Sequence, residues 1–268
     1  RCRIPERIPE AFYICDWTYG RLIAVHLKPD GASYTGRSEN FVAPKSLRGK
    51  GPRVPLNLTD AVIGDDGALY FTIGGRGTQA SLFRVSWQGP RKTAPLPVEQ
   101  LADQTARSNR ELRHKLESLN VRPDPQTVAF AWPHLNSSDR YIRYAARLAV
   151  ERNPVSEWQD RALAEKSPTA AFAALLALAR LGTQEAQPAA LKALTSIPSH
   201  GLSEQQLLEK LRVIQVSIAR HGVPAEATAK LILADIDRLY PATSSALNRE
   251  LSQILIAMNA PNVVARTI

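Results

Sequence analysis

Leu175-Leu-Ala-Leu-Ala-Arg-Leu-Gly182 is the phrase on which the reading of this chain turns. It echoes Ala145-Ala-Arg-Leu-Ala-Val-Glu-Arg152 before it and Gln215-Val-Ser-Ile-Ala-Arg-His-Gly222 after it. Apolar residues recur in these stretches at helical spacing, and two of them close on Ala-Arg-x-Gly, 40 residues apart. A glycine just past the last apolar position is a common helix stop. Small alanines let neighbouring helices approach closely.

Working outward from that phrase, the same period of 3.6 extends from residue 105 to the end. Helices are predicted over 105–119, 125–135, 138–152, 155–165, 168–181, 184–196, 203–220, 224–239 and 243–258, with prolines such as Pro154, Pro168 and Pro224 between them. Ser138, Thr183, Ser203 and Thr243 are the expected N-terminal caps. A repeat near 40 residues is the period of HEAT-like helix pairs, which stack because one pair cannot bury its apolar face alone. Leu178, flanked by alanines, is expected in the core.

Upstream the period is 2. Ala11–Trp17 and Arg21–Lys28 are short, aromatic and β-branched, with a turn at Thr18–Gly20. Ala32–Ala43 supplies a further strand or two. Leu58–Ile63 and Ala68–Ile73 flank Asp65-Asp66-Gly67, a hairpin signal, and Ser81–Trp87 closes the set. Ala11-Phe-Tyr-Ile14 resembles Ala68-Leu-Tyr-Phe71 at an offset of 57 residues. The pattern suits the C-terminal blades of an incomplete β-propeller, with a small independent β-sandwich as the alternative. The expected organisation is β + α in several domains. Residues 1–90 are propeller blades, 91–104 a linker and 105–268 a HEAT-like α-helical repeat domain. Met258 is the only methionine, so the chain reads as a piece of a longer protein.

Net charge is +9, split as +5 over residues 1–100 and +4 over 101–268. A nucleic-acid binder gathers such charge on one face beside aromatics. The even spread argues against a nucleic-acid partner. No apolar run approaches the ~20 residues of a membrane-spanning helix. Cys2 and Cys15 are too few for a zinc site, and a disulfide between them and two separate thiols both remain open.

Few residues carry a chemical signature. Gly74-Gly75-Arg76-Gly77-Thr78 lacks the Lys-Ser/Thr ending of a phosphate loop and leads into a strand, so it reads as a turn. The five histidines show no metal-ligand spacing, and neither His-Glu-x-x-His nor Gly-x-Ser-x-Gly occurs. No Cys-x-x-Cys-His is present, so no c-type haem can attach to this chain. Asp60, with Asp16 and Arg76 behind it, is the candidate to project a charged group into a propeller channel, where such groups hold polar ligands. Each is equally readable as a brace for a turn. Arg140, Arg143 and Arg147 fall on one helix face. They form a candidate partner face, or an exposed stripe paired with Glu151 or Glu165.

Several phrases together resemble a known family. Asp16-Trp-Thr-Tyr-Gly20, Pro29-Asp-Gly-Ala-Ser-Tyr34, Leu58-Thr-Asp-Ala-Val62, Asp66-Gly-Ala-Leu-Tyr-Phe-Thr-Ile-Gly-Gly-Arg76 and Leu82-Phe-Arg-Val85 resemble the end of the propeller in large secreted bacterial proteins of the PVC-type haem-domain group. That propeller is similar to the one in glucose/sorbosone dehydrogenases. Leu112-Arg-His114, Ala131-Trp-Pro-His-Leu135, Asp139-Arg-Tyr-Ile-Arg-Tyr-Ala-Ala-Arg147 and Trp158 resemble the helical repeats that follow it. The resemblance implies a periplasmic, cell-envelope or secreted protein with a protein or carbohydrate partner. Any haem c would belong to the longer parent, since this chain departs from the family in lacking the attachment motif. A non-catalytic structural or interaction module is the function expected. The alternative is part of a sugar-dehydrogenase-like oxidoreductase that passes electrons to a c-type haem domain outside this chain.

Overall fold

In the first part of the chain, alternating side chains and tight turns give six strands among the described residues. The computed structural model describes residues 11–44, 56–75, 77–86, 104–261 and 263–267. The chain is mixed α/β and divides into two units, Arg1–Arg110 and Glu111–Ile268. In the first unit, β1 (Phe12–Asp16), β2 (Arg21–Asp30) and β3 (Ser33–Val42) form one antiparallel sheet in that order. A second antiparallel sheet consists of β4 (Leu58–Ile63), β5 (Leu69–Gly75) and β6 (Thr78–Val85). Ala32–Ala43 therefore yields one long strand. The phrases that look alike occupy different places: Phe12–Ile14 lies on β1, first in its sheet, and Leu69–Phe71 on β5, central in its own.

Leu22, Leu58, Leu69 and Phe71 are buried as one cluster drawn from both sheets, with Tyr13, Cys15, Phe41 and Ile73 against it. The turn after β1 meets the segment before β4. Trp17 Nε1 donates to the Gly74 carbonyl (3.1 Å), and Asn57 Nδ2 donates to the Trp17 carbonyl (3.1 Å). Gly20 has a φ of 71°, and a Cβ there would lie 2.6 Å from the Leu56 nitrogen. Only glycine fits this junction.

In the second unit, every long apolar period becomes a helix. After α1 (Gln104–Ser118), which straddles the division at Arg110, come α2 (Pro125–Ala131) and α3 (Arg140–Glu151). These are followed by α4 (Gln159–Ala164), α5 (Pro168–Leu181), α6 (Gln187–Thr195) and α7 (Glu204–His221). The last are α8 (Glu226–Ile236), α9 (Ser245–Ala257) and α10 (Val263–Thr267). Short 3-10 turns extend α2 through Trp132–Asn136 and precede α4 and α6. Ser203 caps α7 in a reciprocal box with Gln206, as expected. Asp139 caps α3 and Ser244 caps α9, each one residue beyond the serine or threonine predicted for that end. Gly182 and Gly222 accept the helix ends, their amides donating to the carbonyls of Leu178 (2.7 Å) and Ile218 (2.8 Å). The repeated Ala-Arg-x-Gly phrase is thus a helix stop in both places.

Alternate helices pack into two rows: α3, α5, α7 and α9 in one, and α4, α6 and α8 in the other. α5 lies at the centre and buries Phe172, Leu175 and Leu178 together with five alanines. Those alanines set the close approach of α3, α4, α6 and α7 around it.

Candidate functional site

The row α3–α5–α7–α9 forms an open cleft of about 700 Å3. Its floor is apolar, with Phe172, Ala173 and Leu176 from α5 and Leu208 from α7. Polar side chains line its walls at helical spacing. Arg140, Arg143, Tyr144 and Arg147 come from α3 at i, i+3, i+4 and i+7, and Glu209, Arg212 and Gln215 stand along α7. Arg249 and Glu250 close the far end on α9. Five arginines face two glutamates, so the cleft is net positive.

Its charges are held to different degrees. Arg143 is half-buried and crosses to α7, with Nη2 donating to Glu209 Oε1 (2.8 Å). Its Nη1 also donates to the backbone carbonyls of Ser137 (2.8 Å) and Ser138 (3.1 Å). Arg147 is buried and pairs with Glu151 one turn along its own helix, and Arg180 adds a second cation at 3.1 Å from that carboxylate. Glu250 accepts from Gln215 (2.6 Å) and Arg249 (2.8 Å). Those hydrogen bonds, with the charges of Arg249 and Arg212, outweigh burial and hold its carboxyl below the ordinary range. Arg140 lies over the Tyr141 ring (5.3 Å), and among the described residues neither Arg140 nor Arg212 makes an ion pair.

The candidate partner face of Arg140, Arg143 and Arg147 is therefore gathered on one cleft. The exposed-stripe alternative needs correction in two respects. Arg143 is shielded, and its partner is Glu209, two helices along the row, because α5 presents only small and apolar side chains between them. Glu165 is occupied elsewhere. Burial raises its pKa, but hydrogen bonds from Trp132 Nε1 (2.9 Å) and the Ser167 and Lys166 amides, with the charge of Arg161, hold it below the ordinary value. Arg212, Glu209, Arg249 and Glu250 went unnoticed in the sequence. The signal for the α7 members is a stripe of Gln205, Leu208, Glu209, Arg212 and Gln215 at i, i+3, i+4, i+7 and i+10.

Of the channel candidates of the first unit, Asp16 ends β1 and Asp60 lies on β4. Asp60 is exposed on β4 and accepts from the Ala61 amide (2.7 Å). Asp16 braces the turn after β1, accepting from the Tyr19 amide (3.0 Å) and Arg21 Nε (2.9 Å). The backbone donor is the main cause of its lowered pKa. Arg76 lies outside the described residues, as do Cys2 and nearly all of the predicted linker. The Cys15 thiol is pushed up by burial and then by Asp60. A shallow depression between Trp17, Thr59 and Leu82 adjoins Thr72 and Gly74. His26 contacts Glu39 (2.7 Å) across β2 and β3.

A buried polar knot lies on the side of α7 away from the cleft floor. Lys210 is fully buried and donates to Ser199 Oγ (3.1 Å), Asp235 Oδ2 (2.5 Å) and the Ile197 carbonyl. Burial lowers its pKa while Asp235 opposes that shift. Asp235 also takes the Ser199 amide and hydroxyl (2.9 and 2.7 Å). With Lys210 and Ser199 both closed to solvent, this group pins the 196–203 segment to α8. Among the described residues no group of three or more His, Cys, Asp and Glu is placed to hold a metal ion, and no helix is long and apolar enough to cross a membrane.

No protein-family model, curated protein or solved structure matches this chain.

Proposed function

We propose that this chain is a non-catalytic structural and interaction module of a larger cell-envelope or secreted protein, whose helical unit docks a partner along the cleft of α3, α5, α7 and α9. The observation that carries this is the cleft itself: an apolar floor, walled by arginines that come from three helices. Extended concave faces of stacked helix pairs bind partners in this way. The helical unit is taken as a HEAT-like α-solenoid, supported by the 40-residue recurrence of the helix stop and the two alternating rows. The strand unit is taken as propeller blades, supported by two antiparallel three-stranded sheets that share one core. Membership of the PVC-type haem-domain group, and with it the envelope or extracellular setting, rests on the family phrases. An oxidoreductase role for a longer parent rests on those phrases alone.

The test is a binding panel on the full chain, using acidic, uncharged and basic synthetic peptides and oligosaccharides. Ala173→Trp fills the cleft floor and should abolish binding of whichever probe binds, while the melting transition stays within a few degrees. Binding that survives Ala173→Trp, or a panel with no binder, would overturn the proposal.

A further inference from the structure

We infer that the occupant of this cleft is an acidic polypeptide segment, with Asp or Glu side chains alternating with apolar ones. The inference rests on the docking function proposed above and names the class of partner. The first ground is charge. Five arginines line the cleft against Glu209 and Glu250, and Arg140 and Arg212 make no ion pair among the described residues. A guanidinium presents a planar fork of donors that matches a carboxylate in bidentate fashion. Arg140 and Arg147 stand about 10 Å apart along α3 at 1.5 Å per residue. A bound chain would thus meet cations on opposite walls, from α3 and α7.

The second ground is what lies between the charges. Leu176 and Leu208 are half-buried on the floor, and Tyr144 is exposed. Apolar side chains of the segment would cover them, leaving its carboxylates to the walls. A polyphosphate chain suits this surface less well. Nucleic-acid sites track the backbone with uninterrupted positive charge and offer aromatic faces to bases. Here Glu209 and Glu250 interrupt the positive walls, and Arg147 already stands over the Tyr144 ring (5.2 Å).

The experiment is fluorescence polarisation on the full chain with a labelled peptide alternating Glu with Leu, beside a Lys–Leu peptide, a Gln–Leu peptide and a single-stranded oligonucleotide. The Glu–Leu peptide should bind best. It should weaken roughly tenfold or more in Arg140→Ala/Arg212→Ala, as expected for lost charged hydrogen bonds. It should also weaken at ~1 M salt, where screening reaches ~3 Å. Both arginines are exposed, so the variant should keep its melting temperature, which separates lost binding from lost folding. Preferential binding of the Gln–Leu or Lys–Leu peptide, abolished by Ala173→Trp, would overturn the acidic assignment and leave the docking function standing. Tighter binding of the oligonucleotide would overturn it in favour of a phosphate chain. Glu–Leu binding indifferent to Arg140→Ala/Arg212→Ala would place the peptide elsewhere and overturn it. If no probe binds, the inference and the docking function fall together.

Discussion

The strand unit and the helical unit use polar groups for opposite purposes. In the strand unit the carboxylates brace turns at or near the surface. Asp16 closes the turn after β1, and Asp66 gathers the Ala68 amide, Tyr70 and Arg84 at the β4–β5 hairpin. The apolar core there is small, and Phe12, Val62 and Leu82 remain largely exposed on the strands. In the helical unit, α5 fills a continuous core, and Arg143–Glu209 and Lys210–Asp235 tie helices together from partly or fully buried positions. A row of helices locked in this way can hold arginines in a fixed array along a cleft. A turn-bracing aspartate is already consumed by its own backbone. This is why docking is proposed at the cleft and not at Asp16 or Asp60.

That contrast predicts a graded response to substitution. Lys210→Ala should be the most damaging, at ~3–5 kcal/mol, because it leaves the largely shielded Asp235 without its cation. Leu178→Ala follows at ~2–5 kcal/mol, the range for a buried leucine deleted from a packed core. Arg143→Ala should cost ~1.5–3 kcal/mol, since it removes charged hydrogen bonds to Glu209 and two carbonyls from a shielded position. Urea denaturation followed by helical circular dichroism measures all three. If Arg143→Ala costs under ~0.5 kcal/mol, the locked-row account fails at the cleft wall.

In the strand unit the effects should be smaller. Asp16→Ala should cost ~1 kcal/mol, the scale of one partly exposed turn-bracing group, read as faster amide exchange at Tyr19 and Gly20. The smallest effect is a titration. Asp66 is lowered from 3.8 to about 2, first by the Ala68 amide and then by Arg84. Because its folded pKa is depressed, its stabilising contribution is complete above ~4 and is lost as pH falls towards ~2. A carboxyl chemical-shift titration with a midpoint near 4 would show that the hairpin brace is not formed.

Much of this was legible in the sequence, for identifiable reasons. Helix α5 matched its predicted bounds because Ser167-Pro168 and Gly182 punctuate it and its apolar period is unbroken. The buried place of Leu178 followed from its alanine neighbours. The stripe Arg140–Arg143–Arg147 was readable because one helix carries it. What stayed hidden needs tertiary contact: Arg143 meets Glu209 across 66 residues, and Lys210 meets Asp235 across 25. The period of α7 sets Lys210 beside Leu207 and Ile214 on the apolar face, but a lysine there reads as a solvated position until Asp235 and Ser199 are brought to it. The repeat between Ala11–Ile14 and Ala68–Phe71 does not fix a strand's place in its sheet, because similar phrases form a flanking strand in one sheet and a central strand in the other.

Hydrogen exchange of the full chain, with and without the Glu–Leu peptide, tests the account most directly, because it reads both units at once. Protection should rise along α3, α7 and α9, at the segments carrying Arg140, Arg212 and Arg249, with no change in β1 to β6. Protection confined to the strands, or absent from those three helices while the peptide is bound, would contradict the account.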